Sequence, residues 1–276
     1  MTASREDYKI QQSLTGEKKG ENAMMRWVAA TVVMCCFFGA PAHAETYRMS
    51  YQAVVLGVVE LGTAEYEVAD TPTSYNVRAT LRTSGLARLF DQTDITASAN
   101  GLHVGDALSW SRYNLNHSYN QKRRQIQLQR SSREVSGAIT PRYSDLGVPP
   151  ATAEQQSGSF DPLSGVFALG RRVGLAHACE GSVLVFDGRQ HYRLSVSHRA
   201  NGTYNGGGYE GPAISCHLHY TPISGFSRDF DRSGVPVAQI WFAMPAQPGF
   251  AAPLQLIVPT PLGEGQLNLA SYQRRN

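Results

Sequence analysis

Residues 182–196 read Ser182-Val-Leu-Val-Phe186-Asp187-Gly188-Arg-Gln190-His-Tyr-Arg-Leu-Ser-Val196. Two runs rich in β-branched and aromatic residues flank an Asp-Gly pair. That is the strongest short-range signal for a β-hairpin, because Gly supplies the positive φ that a tight turn between right-twisted strands needs. Asp187 therefore reads as a turn residue rather than a catalytic acid.

Working outward, the same period of two recurs along the chain. Arg124-Gln-Ile126-Gln-Leu128-Gln-Arg130 alternates strictly, which turns Ile126 and Leu128 to one face and the glutamines to water. Similar runs begin at Tyr47, Ala64 and Ser74, and others lie near 92–98, 102–115 and 133–139. Beyond the hairpin, Asn205-Gly206-Gly207-Gly208 marks a further turn, and runs at 213–220, 235–242, 254–259 and 266–271 complete the set. Two segments break the pattern. Gly85 to Phe90 places Leu86, Leu89 and Phe90 as one helical turn. Asp161-Pro162-Leu163 opens a stronger helix over 161–170, with Asp161 as cap, Pro162 at the first position, and Leu163, Val166, Phe167 and Leu169 on one face. The proline-rich stretch 140–159 reads as the loop leading into it. The expected fold is mostly β: a large curved antiparallel sheet, an open barrel or β-spiral, of about a dozen strands around one or two short helices.

Composition narrows the class. Of 276 residues, 17% are charged, below the usual share of about 25%. The formal net charge of +3 argues against a dedicated nucleic-acid binder. No apolar run approaches the roughly 20 residues of a membrane-spanning helix.

The N-terminal region carries an address. Arg26 precedes a 12-residue apolar stretch, Trp27 to Phe38, and Gly39 and Pro41 break it before Ala42-His43-Ala44. That is the layout of a secretory signal peptide cleaved after Ala44, which places residues 45–276 in the periplasm as a single β-rich domain. Met34 before Cys35 does not suit a lipidation site. Met1 to Ala23 is polar and charged, an unusually long lead for such a signal, and Met24 or Met25 is the expected start. Cleavage leaves two of the four cysteines, Cys179 and Cys216, which in an oxidising compartment are expected to form one disulfide.

Several blocks together carry a resemblance: Tyr51 to Gly62; Phe160-Asp161-Pro162-Leu163-Ser164; Cys179 leading into Val185-Phe186-Asp187-Gly188-Arg189; Ile214-Ser215-Cys216 leading into Gly225-Phe226; and Ala238 to Trp241 followed by Pro253-Leu254, Thr260 and Gly263. In order and spacing the chain resembles the exported bacterial family known as domain of unknown function 3108. The resemblance implies a periplasmic, mostly β protein, similar in shape to lipoprotein-carrier domains whose concave face holds acyl chains. It brings no catalytic residues.

Candidate sites follow from the residues. Leu86, Leu89, Phe90, Leu163, Val166, Phe167 and Trp241, with Trp110 and Phe242, read either as core or as an apolar groove for an acyl chain or a partner's helix. Lys122, Arg123 and Arg124, with Arg130 and Arg133 nearby, form a basic patch suited to anionic headgroups, peptidoglycan carboxylates or an acidic envelope protein. His217 and His219 share one face of a strand, opposite Ile214, Cys216, Leu218 and Tyr220, and are expected in solvent rather than on a metal. His177, two residues from Cys179, is read beside a disulfide and not a nucleophile. No P-loop, dinucleotide fingerprint, zinc-protease motif or nucleophile elbow occurs, so no cofactor or metal is expected. The expected function is a non-enzymatic periplasmic protein binding a lipid, lipoprotein or other apolar ligand in a β concavity. The alternatives are docking of an envelope partner through the basic face and, third, an envelope hydrolase.

Expressed with its own N-terminus in a bacterial host, the protein should be recovered from the periplasm with Glu45 as its first residue. Intact-mass measurement checks this, and recovery of a chain that still carries the residues before Glu45 refutes the export reading.

Overall fold

The computed structural model describes residues 44–85, 87–131 and 134–275. Residues 1–43, which include the expected signal peptide, and Leu86 and Arg133 lie outside the described residues. Seven strands come first: β1 (Glu45–Val55), β2 (Val59–Asp70), β3 (Ser74–Thr83), β4 (Thr93–Val104), β5 (Ala107–Tyr119), β6 (Lys122–Arg130) and β7 (Val135–Thr140). A short helix, α1 (Ala87–Phe90), lies between β3 and β4. Two helices follow β7, namely α2 (Ala153–Ser157) and α3 (Pro162–Ala176). The chain then returns to strands: β8 (Ser182–Phe186), β9 (His191–Gly206), β10 (Tyr209–Ser224), β11 (Ala238–Ala243), β12 (Pro253–Thr260) and β13 (Gly263–Arg275).

All thirteen strands join one antiparallel sheet, in the order β7-β6-β5-β4-β3-β2-β1-β13-β12-β11-β10-β9-β8. Each half is a meander of sequence neighbours, and a single long-range pairing, β1 with β13, welds the halves together. The alternating runs become strands because every second residue finds the concave side. At the β9–β10 turn the chain reverses through Gly207 and Gly208, both with positive φ (58° and 77°), as a two-residue hairpin requires. The Asp187-Gly188 hairpin forms with a longer loop, in which Asp187 Oδ1 accepts the N–H groups of Arg189 and Gln190.

The sheet is not closed, and β7 and β8 are its two ends. Its curvature still brings those ends side by side. A Cβ on Gly188, in the β8–β9 turn, would lie 3.2 Å from both Ile126 of β6 and Ile139 of β7. Phe160 covers part of the free edge of β8: its N–H donates to the Leu184 carbonyl and its own carbonyl accepts from Phe186 N–H, each at 2.8 Å. An edge strand so covered is a poor template for stray pairing.

The central helix runs six residues past the expected end, to Ala176, with His177 in the left-handed conformation closing it. Gly170 and Gly174 permit this continuation. They face Phe250 and the Gly249 carbonyl so closely that a side chain would collide, and Ala251 N–H donates to the Gly170 carbonyl. The segment 140–159, expected as loop, holds α2, opened by a Thr152–Gln155 capping box. Helix α3 packs Phe167 against Tyr75 and Phe250 on one side, and Ala168, Leu169 and Val173 against β8–β11 on the other. Its start is tied to the sheet by Tyr75 Oη–H donating to Ser164 Oγ and by Trp110 Nε1–H donating to the Ser159 carbonyl. Further along the helix, Arg171 meets Asp70 at 2.9 Å.

Asp161 caps α3 from a fully buried position. Its Oδ1 accepts the N–H groups of Leu163 and Ser164, both at 3.0 Å, while Oδ2 has no partner among the described residues. Burial outweighs the hydrogen bonds to Ser164 and Leu163 and pushes its pKa up to about 6. The folded chain thus holds this proton more tightly than the unfolded one. The contribution to stability is complete below pH ~4 and is lost as pH rises through ~6.

Cys179 and Cys216 are joined in a disulfide, with Cα atoms 5.6 Å apart. It pins the exit of α3 to β10. Closing a 37-residue separation constrains the unfolded chain, and Cys179→Ser should cost about 4 kcal/mol in urea unfolding. Unchanged stability would show that the crosslink carries none of this. Asp161→Asn keeps a capping oxygen but no charge. Relative to the parent it should gain about 3 kcal/mol between pH 4 and pH 7, measured by denaturant melts across that range. A difference independent of pH would show that Asp161 does not titrate there.

Candidate functional site

The ladder register groups the inward residues of β2–β6 into rows that cross the sheet. Beyond Asp70, Tyr75 and Trp110, which contact α3 or the residues leading into it, lies the row Val68–Val77–Ala99–Tyr113–Leu128, and every member is buried. The next row is Tyr66–Ala79–Ala97–Leu115–Ile126, whose middle three members are only partly buried. The third is Ala64–Leu81–Ile95–His117–Arg124, none of it fully buried, with Leu81 40% exposed. Burial therefore falls row by row with distance from α3. The helix fills one half of the concave face, and the other half opens to solvent with an apolar floor.

Ala64 and Ala79 are smaller than Val68 and Val77, their first-row counterparts on β2 and β3, and Ala97, like Ala99, is small. Fully burying one leucine-sized side chain is worth about 1.5–3 kcal/mol, and this floor forgoes part of that. The turns around the open end are laced together. Leu56 N–H donates to the Glu264 carbonyl, Ser84 N–H to the Leu61 carbonyl, and Asn120 N–H to the Gln92 carbonyl. They carry exposed apolar side chains, among them Leu56, Val58 at 82%, Phe90 at 85% and Leu262. The β6 side is different in chemistry. Arg124 lies with its guanidinium carbon 4.0 Å from the Tyr143 ring centre, and Arg189 approaches the same ring at 5.5 Å.

The residues singled out from sequence are distributed otherwise than expected. The apolar set does not form one groove. Phe167 is sealed in the core and Leu163 and Val166 pack against it, because the face of α3 is used up on the sheet. Leu89 and Phe90 stand exposed in α1 on the rim of the open end. Trp241 packs beside Tyr204, with ring centres 6.4 Å apart, and Trp110 and Phe242 are buried. The basic patch is likewise not one surface. Strand alternation sends Arg123 outward, while Lys122, Arg124 and Arg130 share the parity of the buried Ile126 and Leu128. His217 is exposed and His219 Nε2 lies 3.1 Å from Ser197 Oγ. No group of three or more metal-ligating side chains occurs among the described residues.

The lining residues Ala79, Leu81, Ile95, Ala97, Leu115 and His117 were not singled out from sequence. Their strands were legible, but their meeting in rows depends on cross-strand register. Elsewhere, His191 is buried, which holds its imidazole below the usual histidine range, with Arg193 adding to the shift. Burial likewise raises the Asp187 carboxyl, against the N–H bonds from Arg189 and Gln190.

The fold defines a class of open, β-barrel-like domains. A crystal structure of a β-barrel-like protein of domain of unknown function DUF1849 from Brucella abortus is similar, with a TM-score of 0.53 and 11% identity over 85% of this chain and 100% of that one. At this identity the likeness concerns the fold. The family model of DUF3108, described as a protein of unknown function, matches residues 46–269, and the chain belongs to that family. Among curated proteins none matches.

Proposed function

We propose that the protein is an exported, non-enzymatic binding protein of the cell envelope that holds an elongated apolar ligand, a lipid or the acyl chain of a lipoprotein, in the open half of its sheet. The loss of burial from the Val77 row to the Leu81 row carries this reading. An apolar floor partly in water, ringed by protruding Leu56, Val58, Leu89, Phe90 and Leu262, is a surface that gains by being covered. The site differs from the groove expected along α3, whose apolar face is used by the core. The buried state of Asp161 and His191 leaves neither open to a substrate.

The test is native mass spectrometry of protein purified from the periplasm without detergent. Bound lipid is expected on the parent chain. It should be absent from Leu81→Arg, which puts a charge on the floor at a half-exposed position and should shift the melting temperature by only a few degrees. Bare parent protein that also refuses acyl probes would overturn the reading, as would full retention of lipid by Leu81→Arg.

A further inference from the structure

The third row changes character along its length. It runs from Ala64 and Leu81 through Ile95 to His117 and Arg124. Its apolar end lies under β2–β4 and its basic end under β5–β6. At the basic end two guanidinium groups, of Arg124 and Arg189, converge on one tyrosine ring, Tyr143. Each guanidinium is a full positive charge, and an anionic oxygen near Tyr143 would be attracted by both. One acid answers them among the described ion pairs: Asp145, 3.1 Å from Arg189 and itself largely exposed. Arg124 has no acid partner among those pairs. The Nε–H groups of both arginines are buried without a hydrogen-bond acceptor in the described residues. A guanidinium with an unmet donor suits an anionic oxygen, which it can bind in bidentate form.

Four inter-strand spacings separate β6 from β2, roughly 19 Å. An extended acyl chain lying across the sheet would cover Leu115, Ala97, Ile95, Ala79 and Leu81 with its head at Arg124. Charge at one end and an apolar floor along the rest match one kind of molecule.

On the reading that the open half holds an apolar ligand, we infer that the ligand is an anionic amphiphile, its carboxylate or phosphate head bound by Arg124 and Arg189 and its single tail laid across β5–β2. The head fixes orientation, and the floor supplies affinity through burial.

Titration of three probes of equal tail length, each below its micelle concentration, tests this: laurate, dodecyl phosphate and dodecanol. On the parent protein at least one anionic probe should bind about tenfold tighter than dodecanol. Arg124→Gln and Arg189→Gln should each erase most of that advantage while leaving dodecanol binding and the melting temperature unchanged. Preference for dodecyl phosphate assigns the head as phosphate, and preference for laurate assigns it as carboxylate. If all three probes bind alike and the arginine variants change nothing, the head-group site is refuted while the apolar site stands. If no dodecyl probe binds, the apolar site fails and the head-group site with it. Leu81→Arg serves as the tail control and should weaken all three.

Discussion

One helix packed against half of a concave sheet is the constraint on which the rest of this structure depends. Thirteen antiparallel strands curl far enough to present two halves of an inner face, and α3 is long enough to fill one. Phe167 between Tyr75 and Phe250 and the cap at Asp161 fix where it sits, with Arg171 on Asp70 as a further tie. Gly170 and Gly174 let the 249–251 segment close over its outer side. Inward residues near the helix are consequently dry, and burial falls toward the open end, where Ala79, Leu81, Ile95 and Leu115 are only partly buried or exposed.

The same helix solves the problem of the sheet's ends. The chain leaves β7, crosses through α2 and α3, and enters β8, so the connection between the two edge strands is itself the plug. Phe160, just before α3, pairs with the exposed side of β8, and the turn at Gly188 leans on Ile126 and Ile139. The barrel is thereby held shut by side chains and a covered edge rather than by a closing ladder. A domain that need not complete its hydrogen-bonded circuit can leave one mouth open, and the uncommitted floor between Ala79 and Leu81 is the result.

Much of the fold was legible because period-two alternation and turn chemistry are local. The strands from Tyr47 onward, the Asn205–Gly208 turn and the start of α3 at Asp161-Pro162 followed from neighbouring residues alone. The end of α3 did not, since two glycines and two arginines after Leu169 look like a stop unless Phe250 and Gly249 are known to press on them. The groove assigned to Leu163, Val166 and Phe167 was core for a related reason: an amphipathic helix shows its apolar face in sequence without showing what covers it. Arg124 was read together with Lys122 and Arg123 as one basic patch, yet its parity with Ile126 already placed it on the inner side.

The sequence by itself determined the class of fold, the pairing of Cys179 with Cys216, and that Ile126 and Leu128 face in, because these depend on period, composition and elimination along the chain. Tertiary structure alone decided how far the helix reaches into the sheet, which inward residues it covers, and that Arg124 and Arg189, 65 positions apart in sequence, meet at Tyr143. The physical reason is register and curvature: alternation assigns a face to each residue, but only the ladder pairings and the coil of the whole sheet bring those faces to one place.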